Sequence, residues 1–140
     1  SKMKQFLLAS HGKFAEGILG SFQMILGDAP NITVLCAYTE ENEETLEHTV
    51  KKIICERNRK EDLIVVTDVF GGSVNNEFMK YLNEPGVYLV TGMNLPLLLE
   101  LYSNQNMESR DMIRLAIASA QNNLKFCTDL LQVKGEEEEF

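Results

Sequence analysis

Positive charge is scarce in this chain. Among 140 residues, 13 lysines and arginines stand against 21 aspartates and glutamates, for a formal net charge of −8. Glu136 to Glu139 supply four of those negatives, which leaves about −4 on the remainder. Nucleic acid demands a basic face for its phosphates, and an anionic membrane surface demands clustered Lys and Arg. The charge balance argues against both partners. Long apolar runs are also missing: none approaches the roughly 20 residues that span a bilayer. Phe6 to Ala9 is too short for the apolar stretch of a signal peptide. The expectation is a cytoplasmic protein with no direct membrane insertion. Cysteine is sparse too. Cys36, Cys55 and Cys127 are odd in number and show no C-x-x-C spacing, so neither a zinc site nor a redox pair is indicated. They read as small apolar fillers in a reducing compartment. The Glu run reads as a solvated tail rather than a metal site.

What is present fits one compact domain with a real core, since 44% of the residues are hydrophobic. Apolar runs alternate with amphipathic stretches. Met3 to Ala9 reads as a buried strand. Phe14, Ile18, Leu19, Phe22, Ile25 and Leu26 recur at helical spacing, and Gly27 supplies a stop. Ile32 to Ala37 is a second strand. Asn42 opens a second helix, with Glu43 and Glu44 in its first turn and an apolar stripe of Leu46, Val50, Ile53 and Ile54. Leu63 to Val66 is a continuous apolar strand, the pattern of one covered on both faces. A helix with Val74, Phe78 and Leu82 follows from near Ser73. Val87 to Val90 is a fourth strand, and a helix runs from about Pro96 to Tyr102. Ser109 caps a longer helix carrying Ile113, Ala116, Ile117 and Ala120. Leu124 to Cys127 either continues that helix or forms a last short strand. Residues 1–134 make the domain, and 135–140 make an acidic disordered tail.

This alternation calls for an α/β fold with a parallel sheet. Right-handed crossovers restrict the arrangement. The flavodoxin-like, doubly wound sandwich with strand order 2-1-3-4 is the natural solution. Its reversal lies between strands one and three, and ligands bind outside the carboxyl ends of strands at such a point.

Two segments lie there. Ser10-His11-Gly12 ends the first strand and holds one of only two histidines. Thr67-Asp68-Val69-Phe70-Gly71-Gly72-Ser73 ends the third. An imidazole hydrogen-bonded through one nitrogen to a carboxylate has its tautomer fixed, and the other nitrogen is a free nucleophile near neutral pH. His11 is the expected nucleophile and Asp68 its orienting partner. Gly71 and Gly72 permit close approach of the main chain to an oxyanion. The hydroxyls of Ser10 and Ser73 are further donors, and Gly12 joins them as a phosphoryl-binding residue, beside the free N–H groups of the helix that begins near Lys13. His48, two positions from Leu46 and among Glu47 and Thr49, falls on the opposite side of its helix and reads as solvated.

With these residues in hand, the chain resembles a phosphotransferase-system enzyme IIA domain of the mannose/fructose/sorbose family, from Met3 to about Leu131. The resemblance is carried by Leu7-Leu8-Ala9-Ser10-His11-Gly12, by Val65-Val66-Thr67-Asp68-Val69-Phe70-Gly71-Gly72-Ser73, and by Val90-Thr91-Gly92-Met93-Asn94-Leu95-Pro96. It implies a phosphoryl carrier of sugar uptake. The group comes from phosphorylated HPr onto His11 and passes to an enzyme IIB, which works with membrane components IIC and IID. It implies that Asp68 bonds the histidine ring and that the turn Gly71 to Ser73 surrounds the phosphoryl group. No metal or organic cofactor is implied. It also implies a homodimer, formed in some members by exchange of a C-terminal edge strand, here near Leu124 to Cys127. Phe70 stands where some relatives carry tryptophan and Val74 where proline is frequent. The chain stops at Phe140, as a stand-alone or excised IIA would.

Helical spacing alone favours the core for Phe14, Phe22 and Met24. Two proteins that must each reach His11 call instead for a shallow crevice with an apolar rim, for which Phe14, Met24, Phe70 and Met93 are the candidates. The competing reading is a histidine-phosphorylated regulatory IIA-like module of a sugar-operon regulator. A flavin or nucleotide module is disfavoured, because Gly12, Gly17 and Gly20 do not make G-x-G-x-x-G. A receiver domain would place acidic residues where Ser10-His11 stands.

Overall fold

The computed structural model describes residues 2–40 and 43–131. Four strands form one parallel sheet in the order β2-β1-β3-β4, with β1 at Lys4–His11, β2 at Ile32–Ala37, β3 at Asp62–Thr67 and β4 at Val87–Thr91. The helices are α1 (Phe14–Leu26), α2 (Leu46–Glu56), α3 (Ser73–Met79), α4 (Leu95–Ser103) and α5 (Ser109–Gln121). The expected doubly wound order is therefore the one adopted.

Period-two alternation divides the core between the two faces of the sheet. Phe6, Leu8, Ile64, Val66 and Val90 face α1, α4 and α5, where Phe22, Leu98, Leu101 and Met112 complete the packing. Leu7, Ala9, Leu63, Val65 and Val87 face α2 and α3, against Val50, Ile54, Val74 and Phe78. All six residues of β3 are buried, as a central strand covered on both sides must be. The register pairs Ala9 with Thr67 and His11 with Ala37. His11 is thus the last residue of β1, and Asp68 is the first beyond β3.

Several local expectations change. On α1 the buried stripe is Ala15, Ile18, Leu19 and Phe22, whereas Phe14, Ile25 and Leu26 are exposed. Gly27 does end the helix: its φ is 88° and its N–H donates to the Gln23 carbonyl. Helix α2 starts at Leu46, because the Thr45 hydroxyl accepts the His48 N–H and makes the N-cap. Glu43 and Glu44 therefore precede the helix, and Asn42 lies outside the described residues. His48 is exposed, with Glu44 3.7 Å away. Helix α3 ends at Met79, short of Leu82. Glu108 rather than Ser109 caps α5, accepting the N–H groups of Arg110 and Asp111. Ser109 is buried and donates to Asp62 at 2.6 Å. Leu124 to Phe126 have no regular structure and 127–131 are helical, so no strand forms near Leu124 to Cys127. Cys55 and Cys127 are exposed, not fillers, while Cys36 is half-buried. The tail at 135–140 lies outside the described residues. No helix among the described residues is long and apolar enough to cross a membrane.

The two ends of the α1 accessibility range give a test. Phe22 is 0% exposed and Met24 is 90% exposed. Phe22→Ala is expected to cost about 3–5 kcal/mol of unfolding free energy, and Met24→Ala less than about 0.5 kcal/mol. Chemical denaturation of both variants measures the difference, and equal losses would contradict this packing.

Candidate active site

Topology brings the carboxyl ends of β1 and β3 side by side, and one carboxylate joins them. Asp68 Oδ2 accepts the His11 main-chain N–H at 2.8 Å and lies 2.8 Å from His11 Nδ1. Its other oxygen accepts the Val69 N–H at 3.0 Å. The Asp68 side chain is 15% exposed and the His11 side chain 42%. The acid is thus held inside while the ring is partly exposed.

Partial burial pushes the Asp68 carboxyl upward. Hydrogen bonds from the His11 main chain and ring, with the attraction of the ring, outweigh that effect and hold the carboxyl below the usual carboxylate range. An ionised carboxylate only accepts. The ring proton therefore sits on Nδ1, and in the neutral ring Nε2 carries the free lone pair.

Around Nε2 stands the turn after β3. Ser73 Oγ is 3.2 Å from Nε2. Gly72 is the N-cap of α3, whose first N–H groups lack intrahelical acceptors. A Cβ added at Gly72 would lie 2.8 Å from Val69 Cγ1 and 3.1 Å from His11 Cε1. Only glycine lets this turn close so tightly on the ring. Gly71 takes φ 81°, and its carbonyl accepts the Asn76 side-chain amide at 3.1 Å. Beneath the turn, the buried Thr67 hydroxyl donates to Asn75 Oδ1 at 2.7 Å and bonds Thr91 Oγ1 at 2.8 Å. That cluster ties α3 to β3 and β4.

His11, Asp68, Gly71, Gly72 and Ser73 are thus brought together. Other expected members are not. Ser10 is fully buried, its hydroxyl donating to the Gly12 carbonyl and accepting the Ala15 N–H at 2.8 Å. It fastens the start of α1 and has no proton left for a ligand. Gly12 takes φ 58°, and its N–H donates to the Ala37 carbonyl at 2.8 Å; it shapes the turn rather than offering a donor. Met93 is 6% exposed and belongs to the core, so it cannot line a rim. Met24 is exposed, but it stands ten positions beyond Phe14 on α1, about 15 Å along the axis, at the far end of the helix. Phe14 and Phe70 are exposed beside the two strand ends, together with Val69.

One residue was not foreseen. Tyr38 follows β2 directly, its hydroxyl is 2.7 Å from Ser73 Oγ, and its ring centroid is 5.8 Å from that of His11. It is the only non-glycine at positive φ among the described residues, at 63°.

The chain matches the family described as the phosphotransferase system (PTS) fructose IIA component over residues 5–118. It belongs to this mannose/fructose/sorbose IIA family. The sorbose-specific EIIA component of Klebsiella pneumoniae is 28% identical over 109 residues, covering 78% of this chain and 80% of that one. The mannose-specific EIIAB component of Escherichia coli K12 is 25% identical over 122 residues; the match covers 85% of this chain but only 38% of that protein. Among solved structures, a Klebsiella pneumoniae protein described as a phosphoenolpyruvate-dependent sugar PTS permease superposes with a TM-score of 0.89 at 37% identity, covering 93% of this chain and 95% of that one. The PTS IIA protein associated with the fucose utilization operon of Streptococcus pneumoniae gives 0.75 at 34% identity, with 94% and 98% covered. IIA components are phosphoryl carriers of sugar-specific transport systems, and the chain is a phosphotransferase component in that general sense.

Two outcomes are expected. Gly72→Ala drives a methyl group into Val69 and the His11 ring and should cost about 1–3 kcal/mol in denaturation; wild-type stability would mean that turn and ring part freely. Because the native Asp68 value is depressed, its stabilisation is complete above the unfolded carboxylate value near pH 4 and fades as pH falls through the native value. Asp68→Asn should therefore be less stable than wild type at neutral pH, with the gap closing in acid. A gap that widens on acidification would contradict the sign.

Proposed function

We propose that His11 carries the phosphoryl group, taking it from phosphorylated HPr and delivering it to an enzyme IIB. The observation that supports this most directly is the 2.8 Å contact of Nδ1 with Asp68, which leaves the lone pair on Nε2 of a partly exposed ring. In the first transfer, the Nε2 lone pair attacks phosphorus in line with the donor nitrogen; the Nε2–P bond forms as the N–P bond of phospho-HPr breaks. The ring keeps its Nδ1 proton and becomes cationic, and the adjacent carboxylate stabilises that charge without taking the proton. In the second transfer the Nε2–P bond breaks toward a nucleophile on IIB, and the ring returns to neutral. Such transfers need positioning and charge stabilisation more than covalent machinery. Gly71, Gly72 and Ser73 line the phosphoryl side of the ring. Phe14, Phe70 and Val69 provide exposed apolar surface for two successive, short-lived protein contacts.

Incubation with phosphorylated HPr and a matching IIB tests the proposal. Label is expected on the wild type, absent from His11→Ala, and chased from the wild type by IIB. Asp68→Asn should transfer at least about tenfold more slowly, since a charge-assisted bond is worth about 1.5–3 kcal/mol. Label retained by His11→Ala overturns the assignment. A phosphorylated His11 that no IIB discharges would favour the regulatory module instead.

A further inference from the structure

We infer that Tyr38 is a positioning residue for the phosphoryl site, its hydroxyl fixing the direction in which the Ser73 hydroxyl points at Nε2. The inference rests on the carrier role proposed for His11. It follows from counting protons along one hydrogen-bonded line. Asp68 can only accept, so Nδ1 donates to it and Nε2 of the neutral ring can only accept. Ser73, 3.2 Å from Nε2, must then spend its one proton on the ring. At its 2.7 Å contact with Tyr38, Ser73 Oγ can therefore only accept, and Tyr38 must donate. While the ring is neutral, the line runs in one direction, Tyr38 to Ser73 to His11 to Asp68. Each bond in such a line strengthens its neighbour.

The main chain at Tyr38 is bent for this purpose. A φ of 63° is costly for a residue with a bulky side chain. Both flanks hold it there: the Ala37 carbonyl accepts the Gly12 N–H at 2.8 Å, and Thr39 Oγ1 donates back to the Cys36 carbonyl at 2.8 Å. The ring is 64% exposed and so gains little from burial. What the strained conformation secures is the hydroxyl beside Ser73 and the ring beside His11. During transfer the Ser73 proton must leave Nε2, whose lone pair then attacks, and turn to an oxygen of the phosphoryl group; the bond from Tyr38 holds Ser73 Oγ in place for that exchange, and without it Ser73 rotates among its staggered positions.

Four proteins test this: wild type, Tyr38→Phe, Ser73→Ala and the double variant, with His11→Ala as control. Phosphorylation is followed with phosphoramidate, whose N–P bond breaks as Nε2–P forms and ammonia leaves, and separately with phospho-HPr. Tyr38→Phe keeps the aromatic ring and should keep the wild-type thermal midpoint. It is expected to slow phosphorylation about three- to tenfold, as for loss of one ordinary hydrogen bond, and to move the His11 Nε2 ¹⁵N resonance downfield, toward an unbonded acceptor. In the Ser73→Ala background the same change should add nothing, because Tyr38 acts only through Ser73. A Tyr38→Phe protein with wild-type rate and wild-type Nε2 resonance overturns the inference, as does a Tyr38 effect that multiplies in full on top of Ser73→Ala. Label on His11→Ala overturns the carrier reading instead, and the Nε2 resonance then decides the role of Tyr38 by itself.

Discussion

Everything at the carboxyl edge of this sheet depends on the Asp68 carboxylate. A single oxygen receives both the main-chain and the ring N–H of His11, so one group sets the height of the strand end and the angle of its imidazole together. The same carboxylate turns the following segment through the Val69 N–H, which brings Gly72 and Ser73 round to the outer face of the ring. Remove the negative charge and the tautomer, the approach of the turn and the sense of the outer hydrogen bonds all lose their reference. In the role proposed for His11, a side chain that need never touch phosphorus would thus govern the site.

The architecture was legible because its signals are strong and local. Leu63 to Val66 could only be a strand covered twice, and the alternation of strands with helices left few topologies. The switch point then named His11 and Asp68 with no knowledge of any side-chain position. The failures have physical reasons. Successive residues of a strand face opposite ways, so Ser10 and His11 cannot both serve the crevice. Met24 and Met93 were chosen for chemistry alone, though one stands at the wrong end of α1 and the other is needed in the core. Thr45 outcompeted Asn42 as a cap because its hydroxyl meets the His48 N–H. Tyr38 carried no pattern: a bulky residue in the left-handed region is imposed by the tertiary structure. Only its place just past a strand end hinted at a role.

Family membership and local geometry support each other without being the same argument. The match over residues 5–118 identifies a IIA component, while the bond lengths around His11 say how this chain would hold a reactive nitrogen. The Tyr38 hydroxyl belongs to the second argument only. It extends the site to the end of β2, so that the two strands flanking β1, together with the first turn of α3, present groups to one ring.

The buried cluster of Thr67, Asn75 and Thr91 has a further consequence. Those three side chains fasten the start of α3 to central β3 and edge strand β4, so the turn cannot lift without breaking hydrogen bonds at its base. The floor is therefore organised by the fold itself. In the carrier role proposed above, a visiting protein would meet a surface already organised, so the entropy of ordering it would not be charged to the collision.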